Sequence, residues 1–264
     1  MLRNPDKTLV QRVLYPFWVV LYWICLLAFA ALAAVVNISC VLTSFLPAGD
    51  WRYGFYQAML RWMSLGWFFT LRVLGILRVR HVGFDRLPVD PQSIKPILVA
   101  NHPNLFDVFL FYAKLPALTC IYKASLQKTL IQNSMGQQLG FISNANPKKM
   151  IQEGAERVRA GEQLLIFPEG TRTENWPLNE LKSGAAGIAR RADAELQTVV
   201  IHCGSDFLTK NQSIFKPPIL PIYTVVEVGE LFHPRDYATS QELNHAMAEY
   251  FKQQLREERR FEPA

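Results

Sequence analysis

Two short stretches of the 264-residue chain set polar, titratable residues directly after an apolar run. In the first, Ile97-Leu98-Val99-Ala100 gives way to Asn101-His102-Pro103-Asn104-Leu105-Phe106-Asp107. Pro103 suits the first position of a helix, where no backbone donor is needed. That predicts His102 at the cap and Asp107 about one turn inside. From a non-helical cap the imidazole can fold back onto the carboxylate. Such a contact would fix its tautomer, stabilise imidazolium and leave the other ring nitrogen to take a proton from a hydroxyl. The same residues read equally as a surface histidine capping a helix and an aspartate in local hydrogen bonds. In the second stretch, Leu164-Leu165-Ile166-Phe167 precedes Pro168-Glu169-Gly170-Thr171-Arg172. Gly170 permits an unusual dihedral or a close backbone approach, Arg172 offers a planar five-donor group suited to phosphate, and Thr171 adds a hydroxyl. Alone, this segment is also an ordinary turn with solvated charges. Ligands of open α/β sheets bind beyond the carboxyl ends of strands, so two such ends predict one crevice.

The elements that must position these residues are legible as short apolar runs alternating with helical patterns. Strands are expected at Ile97–Ala100, Thr119–Tyr122, Phe141–Ser143, Gln163–Phe167, Val199–Cys203 and Pro221–Val228. Helices are expected near Leu105–Lys114, Leu126–Leu139, Lys148–Arg159, Ser183–Arg191 and Ser240–Arg259. This alternation implies an α/β domain with a partly parallel sheet covered by helices. Pro88, Pro91 and Pro96 mark the connection into it, and the division expected is residues 1–80 as N-terminal helices and 81–264 as the α/β domain.

The first 80 residues differ in character. Val13 to Val36 carries no charge, and the next charged residue is Asp50. As a helix those 24 residues reach roughly 36 Å, enough to cross a hydrocarbon core of about 30 Å. Gly54 to Leu77 instead puts Gln57, Arg61, Ser64 and Arg72 on one stripe of an otherwise apolar surface. That pattern suits a helix lying in the membrane interface or half sunk in one leaflet. A membrane-associated helical pair is therefore expected, with Arg61, Arg72, Arg78 and Arg80 along its rim. A secretory signal would use Arg3, Lys7 and Arg12 with cleavage at Ala31-Leu32-Ala33, but the apolar stretch is too long and continues past Ala33 without a polar break.

Charge distribution excludes another class. Residues 1–80 hold eight basic residues and two acidic ones, which accounts for the whole net charge of +6; the remainder is balanced. A nucleic-acid binder would carry its excess across the folded domain, whereas basic residues beside apolar helices suit an anionic membrane surface. The four cysteines lack C-x-x-C spacing and read as free structural thiols. His202, at the end of an apolar strand, reads as a structural histidine, and with Cys203 it lacks the further ligands a zinc site needs. No G-x-S-x-G, P-loop or dinucleotide glycine fingerprint is present.

Asn-His-x-x-x-x-Asp followed about 60 residues later by Phe-Pro-Glu-Gly-Thr-Arg, behind a hydrophobic N-terminus, resembles the glycerolipid and lysophospholipid acyltransferase family. The likeness covers roughly residues 55 to 225, and Lys182-Ser183-Gly184-Ala185 is similar to the basic-x-Gly-Ala stretch that follows there. The resemblance implies acyl transfer from acyl-coenzyme A or acyl carrier protein to a lysophospholipid hydroxyl. It makes His102 the general base and Asp107 the group that orients it, with direct attack on the thioester and no covalent acyl-enzyme. Asn101, Lys123, Glu169, Gly170, Thr171 and Arg172 become the substrate-binding set, Arg172 being the best phosphate ligand. No metal and no cofactor beyond the thioester co-substrate are implied. Because these donors are intracellular, the catalytic domain is expected on the cytoplasmic face of the cell membrane. The sequence departs from the family at Asn146, where Gly140-Phe141-Ile142-Ser143-Asn144-Ala145-Asn146 ends without the usual Arg, and Thr198–Cys203 lacks the usual proline. Lys148 and Lys149 follow as possible point charges, and an acylated amino acid or another specialised lipid becomes an alternative acceptor.

Overall fold

The computed structural model describes residues 2–3, 13–46, 50–88, 94–125, 134, 136–205, 208–210, 212, 218, 220–257 and 259–260. Strands β1 (Leu77–Val82), β2 (Ile97–Ala100), β3 (Thr119–Tyr122), β4 (Ile142–Ser143), β5 (Leu164–Ile166), β6 (Leu196–Cys203) and β7 (Ile222–Phe232) form a seven-stranded sheet ordered β1-β7-β6-β2-β5-β3-β4. Strands β2 to β6 are mutually parallel; β7 runs antiparallel to β6, and β1 runs parallel to β7. The parallel arrangement puts the carboxyl ends of five strands along one edge. Helices α1 (Tyr15–Ser44), α2 (Asp50–Val73) and α3 (Asp107–Tyr112) supply one layer, and α4 (Pro147–Arg159), α5 (Gly184–Ala192) and α6 (Ser240–Arg256) the other.

Burial on both faces explains why the central strands read as unbroken apolar runs. In β2, Leu98 and Ala100 enter the core shared with α1, α2 and α3, while Ile97 and Val99 enter the core against α4, α5 and α6. The starts of α4 and α6 are fixed by side chains that accept from otherwise orphaned amides. Asn146 accepts from Lys149 N at 3.1 Å ahead of Pro147, and Thr239 accepts from Glu242 N at 3.1 Å. Asn146, where the family resemblance leads one to expect Arg, is thus the cap of α4.

Several boundaries differ from expectation for local reasons. The second apolar helix starts at Asp50 and stops at Val73 because Gly75, at φ 69°, lets Ile76 N reach Leu71 O and Gly75 N reach Arg72 O. Leu77 then opens β1, a strand not anticipated from sequence, and position 80 falls inside it. Helix α3 begins at Asp107, with Phe106 and not His102 at its cap. Strand β7 continues to Phe232. Of the helix expected over 126–139, Ser134 and residues 136–138 are helical; residues 126–133 and 135, with Lys7, Arg12 and Pro91, lie outside the described set.

The polar stripe of α2 is divided between the protein and its surface. Gln57 and Ser64 are buried, Arg61 is half-buried and Arg72 is exposed, while the large apolar residues facing outward are Trp51, Phe55, Trp62, Phe69 and Val73. Their spacing of four, seven, seven and four residues makes one continuous apolar stripe. Helix α1 exposes a second, through Phe17, Val20, Ile24 and Leu27 and on to Val35, Ile38 and Leu42. Its opposite side packs inward, where Phe29 meets Trp67 of α2 at 4.7 Å, Phe106 at 4.9 Å and Phe109 of α3 at 5.2 Å. Gln57 locks α2 to the sheet: Nε2 donates to Leu118 O (2.9 Å) and Leu139 O (3.0 Å), and Oε1 accepts from Leu118 N (3.0 Å). Gln57→Ala orphans a buried amide and a buried carbonyl, and is expected to cost about 3 kcal/mol in a urea unfolding curve of the detergent-solubilised protein. An unchanged midpoint would show that α2 is held by apolar contact alone.

Candidate active site

Strand register brings the two polar segments together. In the β2–β5 pair, Val99 lies opposite Ile166, so His102 and Glu169 leave their strands at equal offsets. His102 N donates to Glu169 Oε1 at 2.8 Å, and Thr173 N returns a hydrogen bond to His102 O at 2.7 Å. The same Oε1 accepts from Thr173 Oγ1 at 2.9 Å, and Glu169 Oε2 accepts from Asn179 N at 3.0 Å. Burial pushes the Glu169 carboxyl above its ordinary range, against the pull of these donors. Turning the chain after Glu169 requires Gly170, which sits at φ 68° and where a Cβ would lie 2.7 Å from Lys182 Nζ.

His102 Nδ1 lies 2.8 Å from Asp107 Oδ2, with the carboxylate 1% and the imidazole 20% exposed. The contact arises from a loop and not from a helix cap. Asn104 Oδ1 accepts from Phe106 N at 3.0 Å, and Asp107 Oδ2 accepts from Asn104 N at 2.8 Å. This doubled turn curls residues 102–106 around the carboxylate. Because Oδ2 is an acceptor, the histidine carries its proton on Nδ1 and leaves Nε2 as a base. Burial pushes the Asp107 carboxyl above its ordinary value, opposed by the His102 contact, the Asn104 amide and the Arg172 charge. Phe167, one residue past β5, stacks on the imidazole with ring centroids 4.3 Å apart.

The remaining expected site residues fall into different environments. Asn101 is buried and clasps the backbone of β6, accepting from Ile201 N at 2.7 Å and donating to Ile201 O at 2.9 Å. It extends the sheet and so sets where the next residue, His102, begins. Arg172 is half-buried and donates through Nη1 to Leu208 O at 2.8 Å. Thr171 is half-buried, and Lys123 is exposed just past β3, two strands from His102. Lys148 and Lys149 are exposed at the start of α4. His202 is buried on β6; His81 is pushed down to about 4 by burial, and its neutral ring donates through Nε2 to Leu110 O at 3.0 Å, joining the edge strand β1 to α3. Sequence reasoning missed Asn104, Phe167, Thr173 and Asn179. Only Asn104 carries a local signal, the Asx turn; the others act through contacts between segments.

A narrow, mostly apolar cavity of about 40 Å³ reaches Asp107. Asn104 and Thr224 also line it, with Tyr22, Trp67, Phe68, Leu71 and Phe106 among its apolar walls. The α1–α2 pair therefore supplies part of the wall of a chamber that reaches the carboxylate.

With the sheet and the histidine–aspartate pair at its carboxyl edge in place, residues 78–203 match the acyltransferase family model. The chain is 30% identical over 163 residues, 51% of its length and 61% of the other's, to a probable 1-acyl-sn-glycerol-3-phosphate acyltransferase of Mycoplasma pneumoniae. It is 29% identical over 126 residues, covering 46% and 48%, to a lyso-ornithine lipid O-acyltransferase of Pseudomonas aeruginosa. The crystal structure of a 1-acyl-sn-glycerophosphate acyltransferase from Thermotoga maritima superimposes with a TM-score of 0.65 over 88% of this chain and 94% of that one, at 21% identity, so the fold is shared. The chain spans less than two thirds of the length of these curated relatives.

The buried carboxylate makes a stability prediction. Its proton is held more tightly in the folded state than at the ordinary value of 3.8, so ionising it costs folding free energy as pH rises through and above that value. Asp107→Asn keeps the acceptor oxygen and removes that cost. The variant should unfold at higher urea than wild type at neutral pH, with the advantage shrinking as pH falls toward 3.8. A difference that does not vary with pH would sink this account.

Proposed function

We propose that the protein is a membrane-bound O-acyltransferase that moves a fatty acyl group from acyl-coenzyme A or acyl carrier protein to the hydroxyl of a lysophospholipid-type acceptor. The observation that carries this reading is the 2.8 Å contact of His102 Nδ1 with the buried Asp107, a carboxylate that also lines an apolar cavity. His102 Nε2 accepts the acceptor's hydroxyl proton as the oxygen attacks the thioester carbonyl. The carbon–oxygen bond forms, the carbon–sulfur bond breaks, and the proton passes from imidazolium to the departing sulfur, which leaves as a thiol. Asp107 holds the ring and offsets its transient charge. The step needs no acyl-enzyme, metal or further cofactor. Arg172 and Thr171 are the groups of the second segment assigned to the acceptor, while Glu169 and Asn101 act by fixing the backbone around His102.

The two outward apolar stripes support attachment to one leaflet. Phe29, near the middle of α1, is packed against α3, so one flank of that helix rests on protein along its length and the other is left to lipid. The donors being intracellular, the catalytic domain belongs on the cytoplasmic face. Trp62→Glu combined with Phe69→Glu should weaken flotation with vesicles while leaving unfolding in detergent nearly unchanged; flotation equal to wild type would overturn the assignment of this face.

A second reading, an acceptor without a glycerophosphate such as a lyso-ornithine lipid, is favoured by Asn146. Its side chain caps α4 where the family resemblance predicts a phosphate-binding Arg. The test of both is acyl transfer in detergent or liposomes, offering each donor to lysophosphatidate, other lysolipids and acylated amino acids. His102→Ala should lower kcat by about a thousandfold with little change in melting temperature. Transfer to lysophosphatidate would favour the first reading and transfer confined to acyl-amino acids the second. If wild type acylates nothing, or His102→Ala keeps its rate, acyl transfer by this base is wrong.

A further inference from the structure

Phe167 carries no group that reacts, yet it lies against the imidazole. It follows β5 and, two residues past Leu165, falls on the sheet face that carries α3. That face is where the His102 ring lies. The two rings are stacked at 4.3 Å between centroids with 23° between planes. On its other flank Phe167 meets Phe111 in an edge arrangement, 6.3 Å between centroids and 77° between planes, and Phe111 is fully buried. Phe111 stands four residues after Asp107, so both project from the same side of α3. A single short helix thus supplies the carboxylate at the edge of the imidazole and the brace behind the ring that covers its face.

We infer that Phe167 is a positioning residue for the proposed base. Its π-face holds the imidazole in the plane where Nδ1 meets Asp107, and it favours the imidazolium that exists only after the proton has been taken. This rests on the acyl-transfer reading. The physical distinction lies in when each interaction acts. Dispersion between stacked rings is present with neutral histidine and helps hold the ground state. The attraction of a cation to a ring quadrupole appears only when the imidazole becomes charged, and so stabilises the transition state selectively. Asp107 at the ring edge and Glu169 at the backbone amide complete the surroundings that favour that charge, and the Arg172 charge, felt at Asp107, partly offsets them. The aromatic character of position 167, and not its bulk alone, then matters to rate.

Fluorinated phenylalanines provide the test, because successive fluorines weaken the quadrupole with little change of shape. Incorporated at position 167 in the full-length protein, the mono-, di- and trifluoro series should lower kcat stepwise to about a tenth, with KM for both substrates and the melting temperature nearly constant. Phe167→Leu should fall by about the same factor, and Phe167→Trp should recover most of the rate. A kcat that stays flat along the series in an active enzyme would overturn this inference while leaving the acyl-transfer reading intact, as would Phe167→Leu within twofold of wild type. Absence of transfer by wild type would sink the acyl-transfer reading and this inference together.

Discussion

The buried carboxylate of Glu169 constrains the rest of the site. A carboxylate away from water is unfavourable unless its oxygens are hydrogen-bonded, and three donors from two segments meet this one: His102 N, the Thr173 hydroxyl and Asn179 N. None of them can be satisfied without the others being nearby. The 169–179 loop must fold back over the strand end, and the chain after β2 must present an amide to it. Gly170 follows from the same demand, since only a left-handed residue turns the backbone away past Lys182 while the preceding side chain points inward. The segment that resembles a ligand-binding turn in sequence is thus first a clamp on the residue beside it. The imidazole is aimed as a consequence.

How much of this could be read from sequence depended on whether the cause was local. The parallel strands were legible because burial on both faces leaves runs such as Ile97–Ala100 with no polar break, and the helix at Pro147 was legible through its proline. The pairing of His102 with Asp107 was legible from residue types, but its route was not. Pro103 argues for a helix start, and the Asn104 turn outweighs it by satisfying the loop's amides before the helix begins. The roles of Glu169 and Asn101 were hidden for a different reason. A polar residue in a motif looks the same whether it meets a ligand or a backbone amide from 67 or 100 residues away. Strand β1 was hidden because its residues Leu77-Arg78-Val79-Arg80-His81-Val82 border an apolar helix, and only Gly75 marks the break.

The polar stripe of α2 shows how periodicity fixes a face without fixing its direction. Gln57, Arg61, Ser64 and Arg72 do fall along one side, and a helix resting on a bilayer would turn that side to water. Here the protein itself supplies the polar partner: the Leu118 and Leu139 backbone groups take up the Gln57 amide, and Ser64 bonds to Leu60 O at 2.7 Å. With those groups satisfied inside, the apolar side is free to face outward, and Trp62 at 72% and Phe69 at 68% exposed mark it. At Gln57 and Ser64 the stripe is a seam packed into the protein, while Arg72, at its C-terminal end, stays exposed. The inference of membrane contact survives because the opposite face is the apolar one.

Under the acyl-transfer reading, that arrangement bears on how a lipid would reach the His102–Asp107 pair. Helix α2 turns Phe69 outward while Trp67, Phe68 and Leu71, its neighbours in sequence, line the chamber that ends at Asp107. One turn of helix therefore separates the surface assigned to lipid from the wall of the site. As it stands the chamber is far smaller than a long acyl chain, so under the acyl-transfer reading a chain enters only by moving the aromatic side chains of α1 and α2 apart from the sheet. Phe68 and Leu71 have only apolar side chains to hold them there, whereas Gln57 pins α2 by hydrogen bonds nearer its N-terminal end. Apolar contacts re-form against a hydrocarbon chain at little cost, and hydrogen bonds to Leu118 and Leu139 would not. The division of the helix into a pinned end and a greasy end lets substrate part the wall without displacing the sheet that carries His102.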